Sequence, residues 1–409
     1  MIEAAKANIG SRVASFFKNN NVQLALLALA WIWTIASIAT KDNQWDFKVY
    51  YYATIAQSEG DNPYDLEVLN KHSPNKIIFP FVYPVVTCYF FRPLTLLPYG
   101  VAYQVWLFFK IGLAIYLLWL WRKRFMNWGP LPLMILVATG TFLGAFYRDL
   151  NSGNVTLIEQ ALLWTGFYWL LEDRPYRFVA AVAAAAFFKF SLAIFLAAIL
   201  FTRMKGKFAA IGLGCILVGG YVAIVWMADP QAFANLVQAG SSIKEYTADF
   251  NHSSFAVFHD LGKLFAGQAV DSSSGRAILI GIYLAFVVVV SAVTFRSLRN
   301  FKSLNQHDAM YLTICVLCLL YVLVMPRMKN YTIIILAVPT YLVLTAAMTR
   351  KAAVILTILL VLPRIKIAAP ETAFGFYQYI HPWLMAVIVW WLFVRYAGRG
   401  LNNLQIRKE

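Results

Sequence analysis

Long apolar stretches separated by short polar ones run the length of the chain. Runs over 22–40, 100–121, 130–147, 154–171, 208–228, 277–296, 308–325, 331–348, 352–369 and 380–396 carry few charges. Each approaches the ~20 residues that a helix needs to cross ~30 Å of hydrocarbon. Lipid offers no partner to backbone N–H and C=O groups, so the spans must be helical. The pattern predicts one all-α, polytopic membrane domain over residues 1–409, a helical bundle with about ten full spans.

Residues 178–201 are also apolar, but Lys189 interrupts them. A single crossing there would place "TRMKGK" outside and invert every later loop. Two half-helices that enter and return, turning at Phe188-Lys189-Phe190, remove the conflict, and each half is too short to span. With that re-entrant pair, "WRKRF", "RSLRNFK", "TRK" and the tail "RYAGRGLNNLQIRKE" fall on one side, which the positive-inside rule makes cytoplasmic. The first run follows Lys6, Arg12 and Lys18, and Ser37-x-Ala39 mimics a cleavage site. The run exceeds a signal-peptide h-region, so it reads as an uncleaved anchor. Both termini are then cytoplasmic, and two large loops, 41–99 and 229–276, lie outside. The first loop ends in "FPFVYPVVTCYFFRPLTLLP", apolar and punctuated by proline, which suits the interface better than a crossing.

Composition sharpens this picture. The chain is 61% hydrophobic and 13% charged, against about 25% charged in soluble domains. Lys and Arg total 35 against 19 acids, a net charge of +16. In a soluble protein that excess points to nucleic acid; here cytoplasmic basic loops account for it, and no nucleic-acid partner is needed. The four cysteines make no disulfide framework. Cys315 and Cys318 fall three apart in a helical run, which puts two small residues on one face.

Polar chemistry gathers on the outer side. Asp46 follows the first run by a few residues, then come Tyr50, Tyr51 and Tyr52, and "EGDNPYD" makes a turn through Gly60, Asn62 and Pro63. A carboxylate beside an apolar wall can serve as a general base; a hydrated acid at a helix end is the plain alternative. Lys189 inside a membrane segment reads by default as a functional site, or else as a buried partner of Glu159. Lys110 lies mid-span with no nearby acid and receives no role. In "YRDLNSGN" Asn151 and Asn154 can bind a sugar or cap a helix. "DFNHSS" offers Asn251, His252 and Ser253. "MPRMKNY" puts Arg327 and Lys329 on the outer side against the positive-inside trend, where they hold either a phosphate or lipid headgroups. No acidic cluster with metal-ligand spacing is evident, which favours a metal-independent mechanism without a cofactor.

Taken in order, "WDFKVYYYA" with "NPYD", "FVYPVV" with "FRPLTLLP", "LNSGNVTLIEQALL", "AAFFKFSLAIFLAAIL", "FNHSS" and "MPRMKNYTIIILAVP" resemble a GT-C glycosyltransferase of the family 87 type, over about residues 40–345. The resemblance implies an inverting hexosyltransferase in a bacterial inner membrane, with an extracytoplasmic active site. It implies a polyprenyl-phosphate sugar donor, mannose above others, and a glycolipid or glycan acceptor, as in the polyprenol-phosphate-mannose-dependent enzymes that extend phosphatidylinositol mannosides. Asp46 is then the catalytic base. Tyr50, Tyr83, Asn154, Lys189, His252, Arg327, Lys329 and Tyr331 become the substrate-binding set. The sequence departs from the family where members often carry histidine, near Lys329 or Asn330. An O-antigen-type polymerase or ligase and a lipid-linked-sugar transporter remain alternatives. The first concentrates its basic residues in a late loop, and the second calls for an internal repeat that is not evident.

Overall fold

The computed structural model describes residues 19–41, 44–202, 204–242, 251–299, 301, 304–362 and 373–398. Among them every regular element is helical, as the apolar pattern predicts. After α1 (Asn20–Ala39) come three shorter helices, α2 (Trp45–Ser58), α3 (Leu66–His72) and α4 (Val86–Thr95). Then follow α5 (Tyr99–Arg124), α6 (Leu131–Ser152), α7 (Thr156–Leu171), α8 (Pro175–Phe188) and a 3-10 segment, Phe190–Phe201. The chain continues through α9 (Lys207–Ala228), α10 (Pro230–Ser242), α11 (Ser254–Ala266), α12 (Ser273–Leu298) and α13 (Gln306–Val324). After a short 3-10 turn at Gly267–Asp271, before α12, a longer 3-10 segment, Asn330–Leu336, leads into α14 (Ala337–Ala346), followed by α15 (Arg350–Val361) and α16 (Ala373–Gly398).

Six of these helices, α1, α5, α6, α9, α12 and α13, are long and apolar enough to cross a membrane, fewer than the about ten spans expected. The shortfall has local causes. Expected span 154–171 begins with a turn and becomes the 16-residue α7. Expected span 331–348 opens as a 3-10 segment and leaves only 10 residues in α14. Expected span 352–369 is described only as far as residue 362, α15 having 12 residues. The basic leader, and the carboxyl tail beyond residue 398, lie outside the described residues.

The chain does turn back at Lys189. That residue ends α8 in an extended conformation, φ −145° and ψ 99°. Phe167 of α7 meets both Phe178, at the start of α8, and Phe195, in the following 3-10 segment. On the other side, a Cβ on Gly214 of α9 would meet Leu196 and Val179 together. Nearer the turn, Tyr221 of α9 contacts both Phe187 and Phe190. Two lengths of chain running in opposite directions alongside α9 explain these contacts, as the interrupted apolar run suggested.

Helix α6 is not a plain span. Thr141 leaves the helix at ψ 165°, and Phe142, Leu143 and Gly144 follow at φ 54°, 58° and 67°. Non-glycine residues in that left-handed region cost about 1–3 kcal/mol each, so surrounding structure must hold the break. Trp31 of α1 does so with an Nε1–H bond to Thr139 Oγ1 at 3.0 Å and an edge-on contact to Phe146. From the other side Val361 of α15 lies against Gly140.

Two apolar cores result. The larger runs through the bundle around Trp121, Trp164, Tyr311 and Tyr341. The smaller lies under α2 and α4, with Phe47, Tyr50, Phe81, Phe91 and Trp106. Phe47 stacks on Trp106 at 5.6 Å between centroids, and Tyr50 stacks on Phe91 at 4.8 Å. Burying such a side chain is worth about 1.5–3 kcal/mol, so this core fixes where the first residues of α2 stand.

Candidate active site

Asp46 lies in the first turn of α2, where a carboxylate suits the positive end of the helix macrodipole. Its Oδ2 accepts a hydrogen bond from Asn154 Nδ2 at 3.0 Å. The same amide nitrogen lies 3.0 Å from the Tyr50 hydroxyl and 3.4 Å from that of Tyr83, and Tyr50 donates to Tyr83 at 3.1 Å. Asn154 Oδ1 meanwhile accepts from the Thr156 backbone N–H at 3.0 Å and from its hydroxyl at 2.9 Å. The two ends of the Asn154 side chain thus do different work: Oδ1 holds the first residue of α7 and Nδ2 meets the acid.

Gly153 makes that meeting possible. It ends α6 in the left-handed region at φ 72°, where glycine carries no Cβ penalty. A Cβ there would also fall 2.7 Å from Phe47 Cβ and 2.9 Å from Gln44 Cβ. Its carbonyl accepts from Trp106 Nε1 at 2.8 Å. The α6–α7 turn is therefore pressed against the start of α2, and Asn154 is delivered to Asp46.

Burial pushes the Asp46 carboxyl above its ordinary value, against the Asn154 hydrogen bond and the Lys329 charge, which favour ionisation. Burial raises the Tyr50 and Tyr83 phenols too, so both stay protonated and act as neutral hydrogen-bonding groups.

The second wall comes from two loops tied to each other. Asn251 Nδ2 donates to the Pro326 carbonyl at 3.1 Å, and its Oδ1 accepts from the Met328 N–H at 2.8 Å. Ser253 Oγ donates to the Pro326 carbonyl at 2.7 Å, and His252 N–H to the Met328 carbonyl at 2.7 Å. Met328 is fully buried. In extended chain the neighbours of a buried residue face the other way, and Arg327 is exposed and Lys329 partly so. His252 itself is buried, with Nδ1 3.2 Å from the Tyr379 carbonyl of α16. Tyr331 is the second residue of the 3-10 segment beyond Lys329, and its phenol bears electrostatically on Tyr50. Lys189 reaches the same segment, donating from Nζ to Thr332 Oγ1 at 3.0 Å.

Other acids of the first loop are committed elsewhere. Asp65 caps α3 through the Glu67 N–H at 2.8 Å, and Asn62 Oδ1 accepts from the Tyr64 N–H at 3.1 Å. Asp61 meets His72 at 3.0 Å. Donor atoms of Glu59, Asp61 and His72 lie within 4.8 Å of one another, a grouping able to hold a divalent ion that sequence spacing did not reveal. It lies beyond the far end of α2, about 20 Å from Asp46 at 1.5 Å rise per residue.

Sequence reading also missed the partner of Lys110. Its ammonium lies 2.7 Å from Asp149 Oδ2, both side chains being 0% exposed, and it donates to the Asp149 carbonyl oxygen. This buried pair braces α5 against α6 directly below the Asn154 turn. The only signal was Asp149 itself, the acid two residues before Asn151 in "YRDLNSGN", and nothing in sequence joins it to Lys110.

A family model described as glycosyltransferase family 87 matches residues 81–326. The match includes Tyr83, Asn154, Lys189 and His252, while Asp46, Arg327 and Lys329 lie beyond its ends. No curated protein and no solved structure matches the chain.

Proposed function

The chain belongs to glycosyltransferase family 87, and from that premise we propose that it moves a sugar, mannose above others, from a polyprenyl-phosphate donor to a lipid-linked or glycan acceptor at the extracytoplasmic membrane face. The observation that carries this reading is the partly buried Asp46 held by Asn154 at 3.0 Å, facing the Arg327–Lys329 loop. Asp46 takes the proton of an acceptor hydroxyl as that oxygen attacks the anomeric carbon. The bond from anomeric carbon to phosphate oxygen breaks on the opposite face, inverting configuration, and polyprenyl phosphate leaves. One carboxylate suffices because phosphate needs no protonation to depart. Arg327 and Lys329 neutralise the charge that develops on it, and Lys189 binds the phosphate already in the bound donor. Tyr50, Tyr83, Asn154 and Tyr331 hydrogen-bond or pack against the sugar, and His252 supports the cationic loop. No step is routed through a metal.

The purified protein, assayed against a panel of polyprenyl-phosphate sugars and nucleotide sugars, tests this. Transfer from polyprenyl-phosphate mannose is expected. Transfer from nucleotide sugars alone overturns the donor assignment, and transfer of another sugar alone overturns mannose.

A further inference from the structure

Two lysines of this bundle have acids for neighbours, and the two pairs differ. Lys110 and Asp149 close to 2.7 Å with no exposure, the geometry of a pair whose work is structural. Glu159, in the first turn of α7, is equally buried at 1% exposure, yet its Oε2 accepts no hydrogen bond. Helices α7 and α8 run antiparallel, a Cβ on Gly166 lying 3.1 Å from the Ala181 Cβ, and that register carries Glu159 to within a turn of Lys189, the cation that bears on it most strongly. Among the described residues, however, no ion pair within 4.0 Å joins the two, and the Lys189 ammonium is drawn to Thr332 Oγ1 at 3.0 Å.

An open pair of this kind needs an explanation. A buried carboxylate oxygen without a donor is costly, and so is an ammonium at membrane depth without a nearby counter-charge. An ammonium has three N–H donors, and one serves Thr332. Thr332 stands three residues after Lys329, so the chain reversal at Lys189 brings this ammonium to the segment that the phosphate-facing loop leads into. The other charged and titratable groups about Glu159 are already engaged. Asp149 of α6 is paired with Lys110 of α5, and Tyr83 is bonded to Tyr50.

We propose that Glu159 is a positioning residue: its carboxylate keeps the Lys189 ammonium aimed at the phosphate of the donor lipid, leaving N–H donors for phosphate oxygens. This rests on the donor assignment above. A closed pair would forfeit those donors, and a lysine without Glu159 would withdraw from the site.

The test is a double-mutant cycle on the full-length enzyme with polyprenyl-phosphate mannose as donor. Glu159→Gln is expected to raise donor KM about tenfold while kcat and acceptor KM stay within about threefold, the effect of one weakened charged contact. Lys189→Met should do the same, and the double variant should be no worse than Lys189→Met alone. Multiplying effects, or a loss confined to kcat, overturn the proposal. So does lowered thermal stability with donor KM intact. Should Glu159→Gln lose its fold, Glu159→Asp keeps the charge and is expected to hold donor KM within about threefold; a tenfold rise there is equally fatal. If the native enzyme uses only nucleotide sugars, the donor assignment fails. The same cycle run with that donor then still decides the role of Glu159.

Discussion

At the entrance of α2, burial works against the ionised form of Asp46 while Asn154 and the Lys329 charge work for it. A carboxyl whose folded pKa exceeds its ordinary value of 3.8 stabilises the fold while protonated, and that contribution is lost as pH rises through the folded value. At neutral pH Asp46 is therefore retained at a cost to stability. Asp46→Asn should unfold at a temperature no lower than the native protein at pH 7, while turnover falls at least about 10²-fold, the lower end for a positioned base. Near-normal turnover in the folded variant would remove Asp46 from the base role. For the same reason the acid limb of kcat/KM should lie above the ordinary carboxylate value; a limb at or below 3.8 contradicts it. Gly153→Ala tests the pressed turn: a Cβ 2.7 Å from Phe47 Cβ should destabilise by about 1–3 kcal/mol and lower turnover by displacing Asn154. Asp46 was legible in the sequence because it is an acid just past a long apolar run. The Lys110–Asp149 pair was not, since its members lie 39 residues apart on different helices and only packing chooses such partners.

Elements show which sequence signals survive folding. A lysine interrupting an apolar run, together with the side that "TRMKGK" and every later basic loop must take, was enough to place the reversal at Lys189. The reversal keeps α7–α9 connections on one side, which gives a labelling test. In a cysteine-free background, cysteine at Lys205 should resist an impermeant thiol reagent from outside, and cysteine at Gln238 in α10 should react. Labelling at 205 from outside would overturn the re-entrant topology. The cationic loop was legible as charges in an unexpected place, but its support was not: Asn251 and Ser253 brace Pro326 and Met328 from a segment some 75 residues earlier. Replacing Arg327 or Lys329 with Ala should weaken donor binding more than acceptor binding, by about 1–3 kcal/mol for a lost charged hydrogen bond. Unchanged donor affinity in both would assign these cations to lipid headgroups.

Across the whole molecule, apolar run length predicted the all-helical bundle, of which six helices are long and apolar enough to cross a membrane among the described residues; hydropathy does not register where a helix tightens into a 3-10 segment or opens with a turn. It also gave no sign of the left-handed break in α6 beyond the glycines of "ATGTFLGA". That break bears on how the protein is made. Synthesis proceeds from the amino end, so α6 leaves the ribosome long before α15 exists to cover Gly140 with Val361. Backbone groups turned out of the helix at membrane depth are tolerated only when protein surrounds them. The nascent bundle must then hold α6 half-finished, clasped by Trp31 but not yet covered by Val361, until α15 arrives. A chain ended before residue 330 should accordingly be cleared by quality-control proteases although every active-site helix up to α13 has been made, whereas the complete chain persists.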